Sequence, residues 1–484
     1  MISVLFSLIV ILVVVCALKS IIKPKNYPPG PKWYPFLGSG NVVRTLAKKH
    51  NSQWKAFYEL SKQYSTNVLG LKLGGENYVV VYGEKNLQQA FSALEFDGRP
   101  NSFFIKLRCL GEKMGVTFTD GSLWKEHRHF TMKYLKNVGF GRALMEKDIQ
   151  TELSHIIQKI MNSNKSVNPK EVFASAVMNV LWKSVAGERI NEDRLKYLID
   201  LLGARSIAFS MAGGWLNEMP WCRFIFPDLS GYNLITKINQ QISDVIEETI
   251  EKHKSKAVEG NDFIYSFLQE MNKNKSTFTE QQLKLTCLDL LIAGSQTTSN
   301  TIEFAILSLL QHQDVQGKIY NEINTVLGDT PVCYEDSRRL TYTNAFILEV
   351  QRYYTIVPLV GPRRLLDDVI MDGYTIPKET TILMSVYDLH FDHKLWDEPS
   401  KFKPERFITE NGEIKIPKFM FHFGCGRRRC LGDSLAKRFI FMALVSLLQK
   451  FKIVCSNGTL PRLEPVIGLI MSPQVFSADF VLRK

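Results

Sequence analysis

The sequence predicts a mainly α-helical (α+β) fold, in which a large helical domain carries a small β-sheet region. Residues 279–311 contain no proline and begin with the capping pattern Thr279-Glu-Gln-Gln282, which predicts one long helix. Residues 70–73 and 78–82 predict two short strands, because both are apolar and two glycines lie between them. Helical segments surround these strands, so we expect the helices to form most of the core.

The N-terminus has a different composition from the rest of the chain. Residues 4–18 are almost wholly apolar, and Lys19, Lys23 and Lys25 follow them. A cleaved signal peptide would begin with basic residues and end in a clear cleavage site, and neither is present. Residues 1–22 are therefore predicted to be an uncleaved anchor in a thin bilayer such as that of the endoplasmic reticulum, and the lysines predict that the rest stays in the cytosol.

Residues 23–40 form a predicted proline-rich hinge. Each proline of the run from Tyr27 to Pro31 fixes its own backbone angle and restricts its predecessor. The remainder, 41–484, contains no Gly/Ser-rich or Pro-rich linker, so we expect one catalytic domain. The aromatic-rich segment 211–226 has two interpretations, a second membrane contact or a piece of the core.

The charge and cysteine content bear on the partners and the cellular compartment of the protein. The net charge is +12, but the lysines are spread along the chain and no nucleic-acid-binding motif occurs, so no nucleic-acid partner is expected. The eight cysteines show no framework spacing, which predicts free thiols in a reducing compartment. Glycosylation sequons at Asn164, Asn274 and Asn457 would stay unmodified if the body is cytosolic.

The loop from Phe423 to Gly432, Phe-Gly-Cys-Gly-Arg-Arg-Arg-Cys-Leu-Gly, has the spacing of a haem-thiolate site. Cys430 would hold its sulfur against iron, backbone amides would keep it ionised, and Arg428 could fork onto a propionate. Gly426 and Gly432 would allow a flat macrocycle to approach the backbone. The alternative interpretation is a lone buried cysteine in a basic loop.

The cysteine loop and two further motifs resemble those of the cytochrome P450 family. These motifs are Glu349-Val-Gln-Arg352 and the Pro-Glu-Arg-Phe stretch that contains Arg406. The resemblance implies the cytochrome P450 fold, with haem b between the long central helix and the cysteine loop. It also implies that Glu349, Arg352 and Arg406 form a buried charge triad, which would be costly to break.

The same resemblance implies a set of haem contacts. Cys430 would be the metal ligand, and Phe423 would belong to the cofactor site. Cationic or N–H donors would face the two propionates, because carboxylates inside a protein need such partners. These donors are Arg99, Trp124, Arg128, Arg363 and Arg428.

The segment Ala293-Gly294-Ser295-Gln296-Thr297 lies in the middle of the predicted long helix. In the family, small residues here let the helix pass over the iron, and the hydroxyl that matches Thr297 hydrogen-bonds bound oxygen. The glycine could equally serve helix packing. Family members have an acid before this threonine, whereas Gln296 cannot relay a proton by ionising. Either water and Thr297 carry protons, or the reaction needs no relay.

The predicted function is that of a membrane-bound monooxygenase that inserts one oxygen atom from O2 into a hydrophobic substrate. Its electrons would come from NADPH through NADPH-cytochrome P450 reductase, with cytochrome b5 as a second partner, since no dinucleotide or flavin motif is present. Two other classes stay open at this point. One is a haem-thiolate isomerase that rearranges peroxides without a reductase, and the other is a noncatalytic haem-binding or ligand-carrier protein.

Substrate contacts implied by the resemblance form a nearly apolar set, although some could be plain core residues. A pocket of this kind predicts a lipid-like ligand with few polar anchors. The sequences at 97–100 and 295–298 look most like the arthropod branch that includes methyl farnesoate epoxidases, so a sesquiterpenoid hormone precursor is the substrate hypothesis. The implied contacts are Phe118, Phe209, Ala293, Thr297, Val357, Val360 and Leu469.

Overall fold

A computed structural model describes residues 2–137, 143–163, 166–209, 214–255, 260–273, 276–466 and 468–483. Within these ranges the chain is predominantly helical, with three small sheets, as predicted. The α-helices are α1 (Ile2–Ser20), α2 (Gly40–Lys49), α3 (Gln53–Gln63), α4 (Glu84–Ser92), α5 (Phe103–Arg108), α6 (Gly121–Asn137), α7 (Ala143–Asn162), α8 (Pro169–Ala186), α9 (Glu192–Ala208), α10 (Gly214–Glu218), α11 (Cys222–Ile225), α12 (Tyr232–Ser255), α13 (Phe263–Met271), α14 (Glu280–Gln311), α15 (Gln313–Val326), α16 (Thr341–Tyr354), α17 (Val386–His390) and α18 (Asp433–Lys450).

The strands form one four-stranded sheet and two smaller ones. They are β1 (Val68–Leu73), β2 (Glu76–Val81), β3 (Ser166–Val167), β4 (Leu359–Arg364), β5 (Val369–Met371), β6 (Tyr374–Ile376), β7 (Thr381–Ser385), β8 (Phe451–Cys455) and β9 (Ala478–Leu482). Their orders are β1-β2-β7-β4, β3-β9-β8 and β5-β6. The predicted hairpin is β1 and β2, which pair antiparallel, and β2 then pairs parallel with the distant β7.

The long helix α14 passes through the core. Its cap is the predicted one, because the Thr279 side chain accepts a hydrogen bond from the backbone N–H of Gln282 at 3.2 Å. The Gln282 side chain forms hydrogen bonds with a different segment. It accepts from the Gly115 N–H and donates to the Gly115 carbonyl, at 2.9 and 3.2 Å, and so holds the loop that precedes α6 against α14.

The hinge segment packs on the first sheet. The Tyr27 hydroxyl lies within hydrogen-bonding distance of the backbone carbonyls of Leu71 and Tyr78, at 3.2 and 2.9 Å. Gly30 lies so close to this sheet that a Cβ there would meet the Gly70 carbonyl oxygen at 1.9 Å. Glycine is therefore required at this crossing, and the proline run is fixed to the sheet rather than free of it.

The apolar N-terminal segment forms α1, whose large side chains are exposed. Among the described ranges no helix has the combination of length and apolar character needed to cross a membrane. All eight cysteines are free, as predicted. The sequons at Asn164 and Asn274 lie outside the described residues.

The aromatic-rich segment 211–226 forms α10 and α11, and its residues 211–213 lie outside the described part of the chain. Leu216 is buried, whereas Trp221, Phe224 and Phe226 are exposed. The core interpretation is therefore wrong for these three aromatic side chains. They form an exposed apolar surface on the outside of the fold.

Candidate haem and substrate site

The cysteine loop lies between α4 and α18. The Cys430 N–H donates to the Phe423 carbonyl at 2.9 Å, which closes the loop on itself. Gly426 has φ +68°, and a Cβ there would meet the Phe91 carbonyl oxygen at 2.4 Å. Gly426 is therefore required by packing on α4, whereas the space beside Gly432 is open. Only the second glycine leaves room for a ligand, which corrects part of the prediction.

Cys430 is exposed, although much of the protein surrounds its thiol. Burial raises the pKa of the Cys430 thiol, and the hydrogen bond from the Gly432 N–H lowers it by less. The backbone amide of Gly432 therefore acts in the expected direction, against the effect of burial. A bound metal ion would deprotonate it, since a coordinating thiol exists as the thiolate.

Donors without partners converge near this loop. Arg428 donates from Nη2 to the Asp97 carbonyl at 2.6 Å, while its Nε and Nη1 have no acceptor among the described residues. Its guanidinium carbon lies 3.7 Å from the Trp124 ring centroid. Trp124 Nε1 and Arg99 Nε are likewise buried without an acceptor in the described ranges. Buried donors of this kind are rare unless a ligand satisfies them.

The remaining predicted arginines are anchored to backbone carbonyls. Arg363, on β4, donates to the Ala90 carbonyl at 2.8 Å, and Arg99 donates to the Pro362 carbonyl at 2.6 Å. Arg128, one turn after Trp124 on α6, donates to the Arg429 carbonyl at 2.6 Å. These carbonyl partners carry no charge, and Asp97 is the carboxylate whose field reaches Arg99, Arg363 and Arg428.

Burial and repulsion between the arginines lower the pKa values of this arginine cluster. Burial lowers the pKa of Arg363 to about 10 and that of Arg428 to about 9, and Arg363 adds to the effect on Arg428. The pKa of Arg99 is lowered well below its usual value by burial and then by Arg428. Buried cations with unused donors are stable only beside an anion. The two carboxylates of a haem fit these donors, and the Cys430 sulfur fits its iron.

The oxygen-site segment lies in the middle of α14. The Thr297 hydroxyl donates to the Ala293 carbonyl at 2.9 Å, so its lone pairs remain available to accept. A Cβ on Gly294 would meet Leu181 Cδ2 of α8 at 2.5 Å. Packing of α14 on α8 therefore accounts for this glycine. Gln296 lies toward α9, because its Nε2 is 3.8 Å from the position of a Cβ on Gly203.

The implied substrate contacts do not all meet. Phe209 and Leu469 line one cavity together with Gln296, whereas Val357 and Val360 pack against the core. Phe118 is buried, and Ala293 is exposed. Glu349, Arg352 and Arg406 meet in one buried group. Arg352 Nε lies 2.7 Å and Arg406 Nε 3.1 Å from Glu349 Oε2.

Two residues that line this cavity were not predicted from the sequence. Arg108, on α5, and Arg205, on α9, are 7% and 4% exposed and line the cavity beside Gln296. The sequence does contain a signal for the second one. Arg205 continues the helical spacing of the buried residues Leu198 and Leu202, so it takes an apolar position on the buried face of α9.

The fold, the cysteine loop and the cluster of unsatisfied donors together define a haem-binding oxidoreductase. A family model described as Cytochrome P450 matches residues 28–479, and the chain therefore belongs to the cytochrome P450 family. As a member it is a monooxygenase that uses haem and electrons derived from NADPH. The predicted isomerase and carrier alternatives gain no support.

Three relatives show the breadth of the family. The chain is 39% identical to "Probable cytochrome P450 305a1" of Drosophila melanogaster, with 99% of each chain covered. It is 35% identical to "Farnesoate epoxidase" of Bombyx mori, over 95% of this chain and 94% of the relative. It is 33% identical to "Cytochrome P450 2J5" of Mus musculus, over 93% of this chain and 90% of the relative.

Proposed function

We propose that this cytochrome P450 holds haem through Cys430 and oxidises a lipid-like hormone precursor. The observation that supports the proposal is the set of unsatisfied donors on Arg99, Trp124 and Arg428 near the accessible Cys430 sulfur. Bound haem supplies the chemistry by which one atom of O2 enters the substrate. Arg363 and Arg128 complete the cationic surroundings of the propionates.

We expect Thr297 and Gln296, both on α14, to determine how protons are delivered. The Thr297 hydroxyl directs its own proton to the Ala293 carbonyl, and its oxygen is free to accept a hydrogen bond from another donor. Gln296 stays neutral at every pH, so proton delivery depends on Thr297 and on water. The apolar side chains of Phe209 and Leu469 line the neighbouring cavity.

The assignment of Cys430 as the iron ligand is tested by the reduced carbon-monoxide difference spectrum of the full-length protein. Cys430→Ser is expected to remove the thiolate-type Soret band, because a serine oxygen does not donate electron density as sulfur does. Cys425→Ser is the matched control in the same loop and should keep the band. A thiolate-type band in the Cys430→Ser protein would refute the assignment.

The proposed redox partners are NADPH-cytochrome P450 reductase and cytochrome b5. Lys125, Lys133 and Lys136 on α6 and Lys437 on α18 are exposed, and Arg128 joins α6 to the cysteine loop. Such a basic surface would attract an acidic donor. Replacing Lys133 and Lys437 by Glu should raise the KM for the reductase at low salt, with little effect at high salt. An unchanged KM would contradict this docking surface.

We further propose that α1 associates with the membrane of the endoplasmic reticulum and that the catalytic body faces the cytosol. The exposed apolar side chains of α1 support this placement, and Trp221, Phe224 and Phe226 offer a second contact. Alkaline extraction of microsomes from cells that express the full chain should leave the protein in the pellet, whereas removal of residues 1–22 should release part of it. Release of the full chain would contradict an integral anchor.

The leading substrate candidate is methyl farnesoate or a comparable sesquiterpenoid. Its support is the similarity to the Bombyx mori farnesoate epoxidase and the apolar lining provided by Phe209 and Leu469. Reconstituted holoenzyme should form an epoxide or alcohol from such a compound only with NADPH and the reductase. If none of the sesquiterpenoids yields a product, this substrate class is wrong.

A further inference from the structure

A second cavity lies next to the one that contains Gln296, on the side of α3. The two cavities share the side chains of Ser206, Phe209 and Leu469. The wall of the second cavity is formed by the start of α3, the end of α9 and the first residue of β4. Its volume is about 160 Å³, which is enough for a group about the size of a benzene ring. We call it the Trp54 cavity, after a residue of α3 that lines it.

The indole N–H of Trp54 is a buried donor without a protein acceptor. Trp54 is 6% exposed, and its Nε1 finds no hydrogen-bond partner within the described ranges. A buried tryptophan N–H usually has a partner, because a donor that loses water and gains nothing destabilises the fold. The Trp54 cavity is the space beside this side chain that protein atoms do not fill. We therefore expect the missing acceptor to belong to a molecule that enters this cavity.

The Trp54 side chain is held in one place. Its ring packs on Tyr387 of α17, with 4.1 Å between the two ring centroids. The Ser52 side chain caps α3 by accepting from the Lys55 N–H at 3.2 Å, and the Ser52 N–H donates to the Ala47 carbonyl of α2 at 2.9 Å. The start of α3 is thus fixed to α2. A donor fixed on rigid elements defines where its acceptor has to lie.

The Trp54 cavity favours an uncharged acceptor. None of the described residues that line it is ionisable. Lys55, whose Nζ lies 5.6 Å from the Trp54 ring centroid, does not belong to the lining. A carboxylate in the cavity would lose its hydration without gaining a cation, whereas a carbonyl oxygen needs only a neutral donor. An ester or a ketone therefore has the matching chemistry.

The Trp54 cavity is separate from the oxygen-site segment of α14. Ile292 and Gln296 of α14 line the neighbouring cavity, but no described residue of α14 lines this one. A volume of about 160 Å³ accommodates only one end of a sesquiterpenoid. The rest of such a molecule would extend past the shared residues Phe209 and Leu469 toward α14. A substrate held by its polar end at Trp54 would therefore present a more distant carbon to α14.

We propose that Trp54 determines substrate specificity by donating from Nε1 to an uncharged carbonyl oxygen at one end of the substrate. The proposal rests on the proposed function, because it concerns the substrate class of the same oxidation. The substrate class is a lipid with a terminal ester or ketone group, in preference to a hydrocarbon of the same shape. The carbonyl end stays at Trp54, and the protein thereby fixes how many carbons separate the carbonyl group from the oxidised position.

Equilibrium dialysis of full-length holoprotein with radiolabelled methyl undecyl ketone and its isosteric alkene tests the hydrogen bond. The two ligands have the same shape, since a methylene group of the alkene replaces the carbonyl oxygen. Trp54→Phe is expected to weaken ketone binding about three- to tenfold, the usual effect of one lost hydrogen bond, and to change alkene binding less than about twofold. Each ligand is compared between two proteins, so its partition into lipid cancels. Equal losses for both ligands, or no loss for the ketone, would overturn the proposal.

Two further variants control for the substitution and for the location of the ligand. Trp33→Phe removes another buried indole N–H that lacks a partner in the described part of the chain. Trp33 does not line the Trp54 cavity, so both ligands should bind as they do to the wild type. Ser206→Phe fills the cavity from α9 and should weaken both ligands while the carbon-monoxide spectrum stays normal. Unchanged binding in Ser206→Phe would show that the ligands bind elsewhere and would refute the site.

A test on the wild type does not depend on the folding of any variant. Holoprotein reconstituted with the reductase and NADPH is given methyl nonyl, methyl undecyl and methyl tridecyl ketone, and mass spectrometry locates the new hydroxyl group. The number of carbons between the carbonyl group and the oxidised position should stay the same as the chain lengthens, because Trp54 holds the carbonyl end. An oxidised position that keeps its distance from the other end of the chain would contradict this role.

These measurements separate the role of Trp54 from the proposed function. If the ketone binds through Trp54 but none of the ligands is oxidised, the Trp54 site stands and the proposed oxidation of such lipids fails. If methyl farnesoate is epoxidised while Trp54→Phe binds the ketone as tightly as the wild type, the proposed function stands and the Trp54 site fails.

Discussion

Single side chains decide what this site can bind, because each buried donor needs a defined partner. Arg428 Nε and Nη1, Trp124 Nε1 and Arg108 Nε have none among the described residues. The donors of Arg428 and Trp124 lie near the cysteine loop, and Arg108 lines the cavity beside Gln296. Buried donors without partners therefore occur at both places.

Arg428→Gln is expected to weaken haem retention. The variant loses a charge-assisted donor pair, so haem transfer to an excess of apomyoglobin should become about tenfold faster, in line with roughly 1.5–3 kcal/mol for a hydrogen bond to a charged group. Arg427→Gln, the exposed neighbour, is the matched control and should transfer haem at nearly the wild-type rate. Equal rates for all three proteins would show that Arg428 does not hold the cofactor.

Glu303→Gln is expected to stabilise the protein at neutral and higher pH. Glu303 is 3% exposed, its Oε1 has no partner among the described residues, and burial raises its pKa from 4.5 to about 7. The protonated form therefore fits the fold, and its stabilising effect is present below pH 4.5 and disappears as the pH rises toward about 7. Glutamine remains neutral throughout this range.

Thermal unfolding of holoprotein between pH 4.5 and 8 checks this expectation for Glu303. The midpoint of Glu303→Gln should exceed that of the wild type by a margin that grows up to about pH 7 and is then constant. Glu280→Gln, in the exposed first turn of the same helix, should show no such growth. A margin that does not depend on pH would contradict the raised pKa.

At the scale of whole elements, α14 carries three functions on different faces. Ala293 and Thr297 share one face, Gly294 packs on Leu181 of α8, and Gln296 lies toward α9. A helix turns by about 100° per residue, so consecutive positions meet different neighbours. The motif is contiguous in sequence, but its members act in different places.

Gly294→Val is expected to destabilise the contact between α14 and α8. Its Cβ would lie 2.5 Å from Leu181 Cδ2, and overpacking of this kind costs about 1–3 kcal/mol. The midpoint of thermal unfolding should fall, and it should recover in part in the double variant Gly294→Val, Leu181→Ala, because the truncated side chain makes room. Additive effects of the two substitutions would show that Gly294 does not pack on Leu181.

At the scale of the whole molecule, the buried triad joins segments that are distant in sequence. Glu349 on α16 binds Arg352 and Arg406 and accepts from the Lys403 N–H at 2.8 Å. Arg352 also donates to the carbonyls of His390 and Pro399 at 2.8 Å. One carboxylate therefore fixes α16 to the segment that leads into the cysteine loop.

Glu349→Gln is expected to cost about 3–5 kcal/mol of folding free energy, because it leaves two arginines buried without a counter-charge. Urea unfolding and the fraction of protein that retains haem would measure the loss. Glu335→Gln is a matched control, since Glu335 pairs with Arg338 at the same i, i+3 spacing on the exposed surface. Its cost should be below about 1 kcal/mol. A similar small cost at Glu349 would contradict the role of the triad.

Local sequence patterns were enough to predict the helix α14 and its Thr279 cap, the hairpin of β1 and β2, and the family membership. Each depends on residues that are close in the chain, and the short spacing determines backbone geometry directly. The bounds of the strands differ by a few residues from the predicted ones, because pairing partners such as β7 come from elsewhere in the chain.

The sequence by itself determined that this is a cytochrome P450 and where its cysteine loop lies. Only the tertiary structure decided that Gly426 and Gly294 serve packing, and that Arg108 and Arg205 face one cavity with Gln296. The physical reason is that motif geometry is local, whereas burial and charge compensation arise from neighbours supplied by distant elements. Each arginine alone is a basic residue near a helix end, and only the fold buries the two side by side.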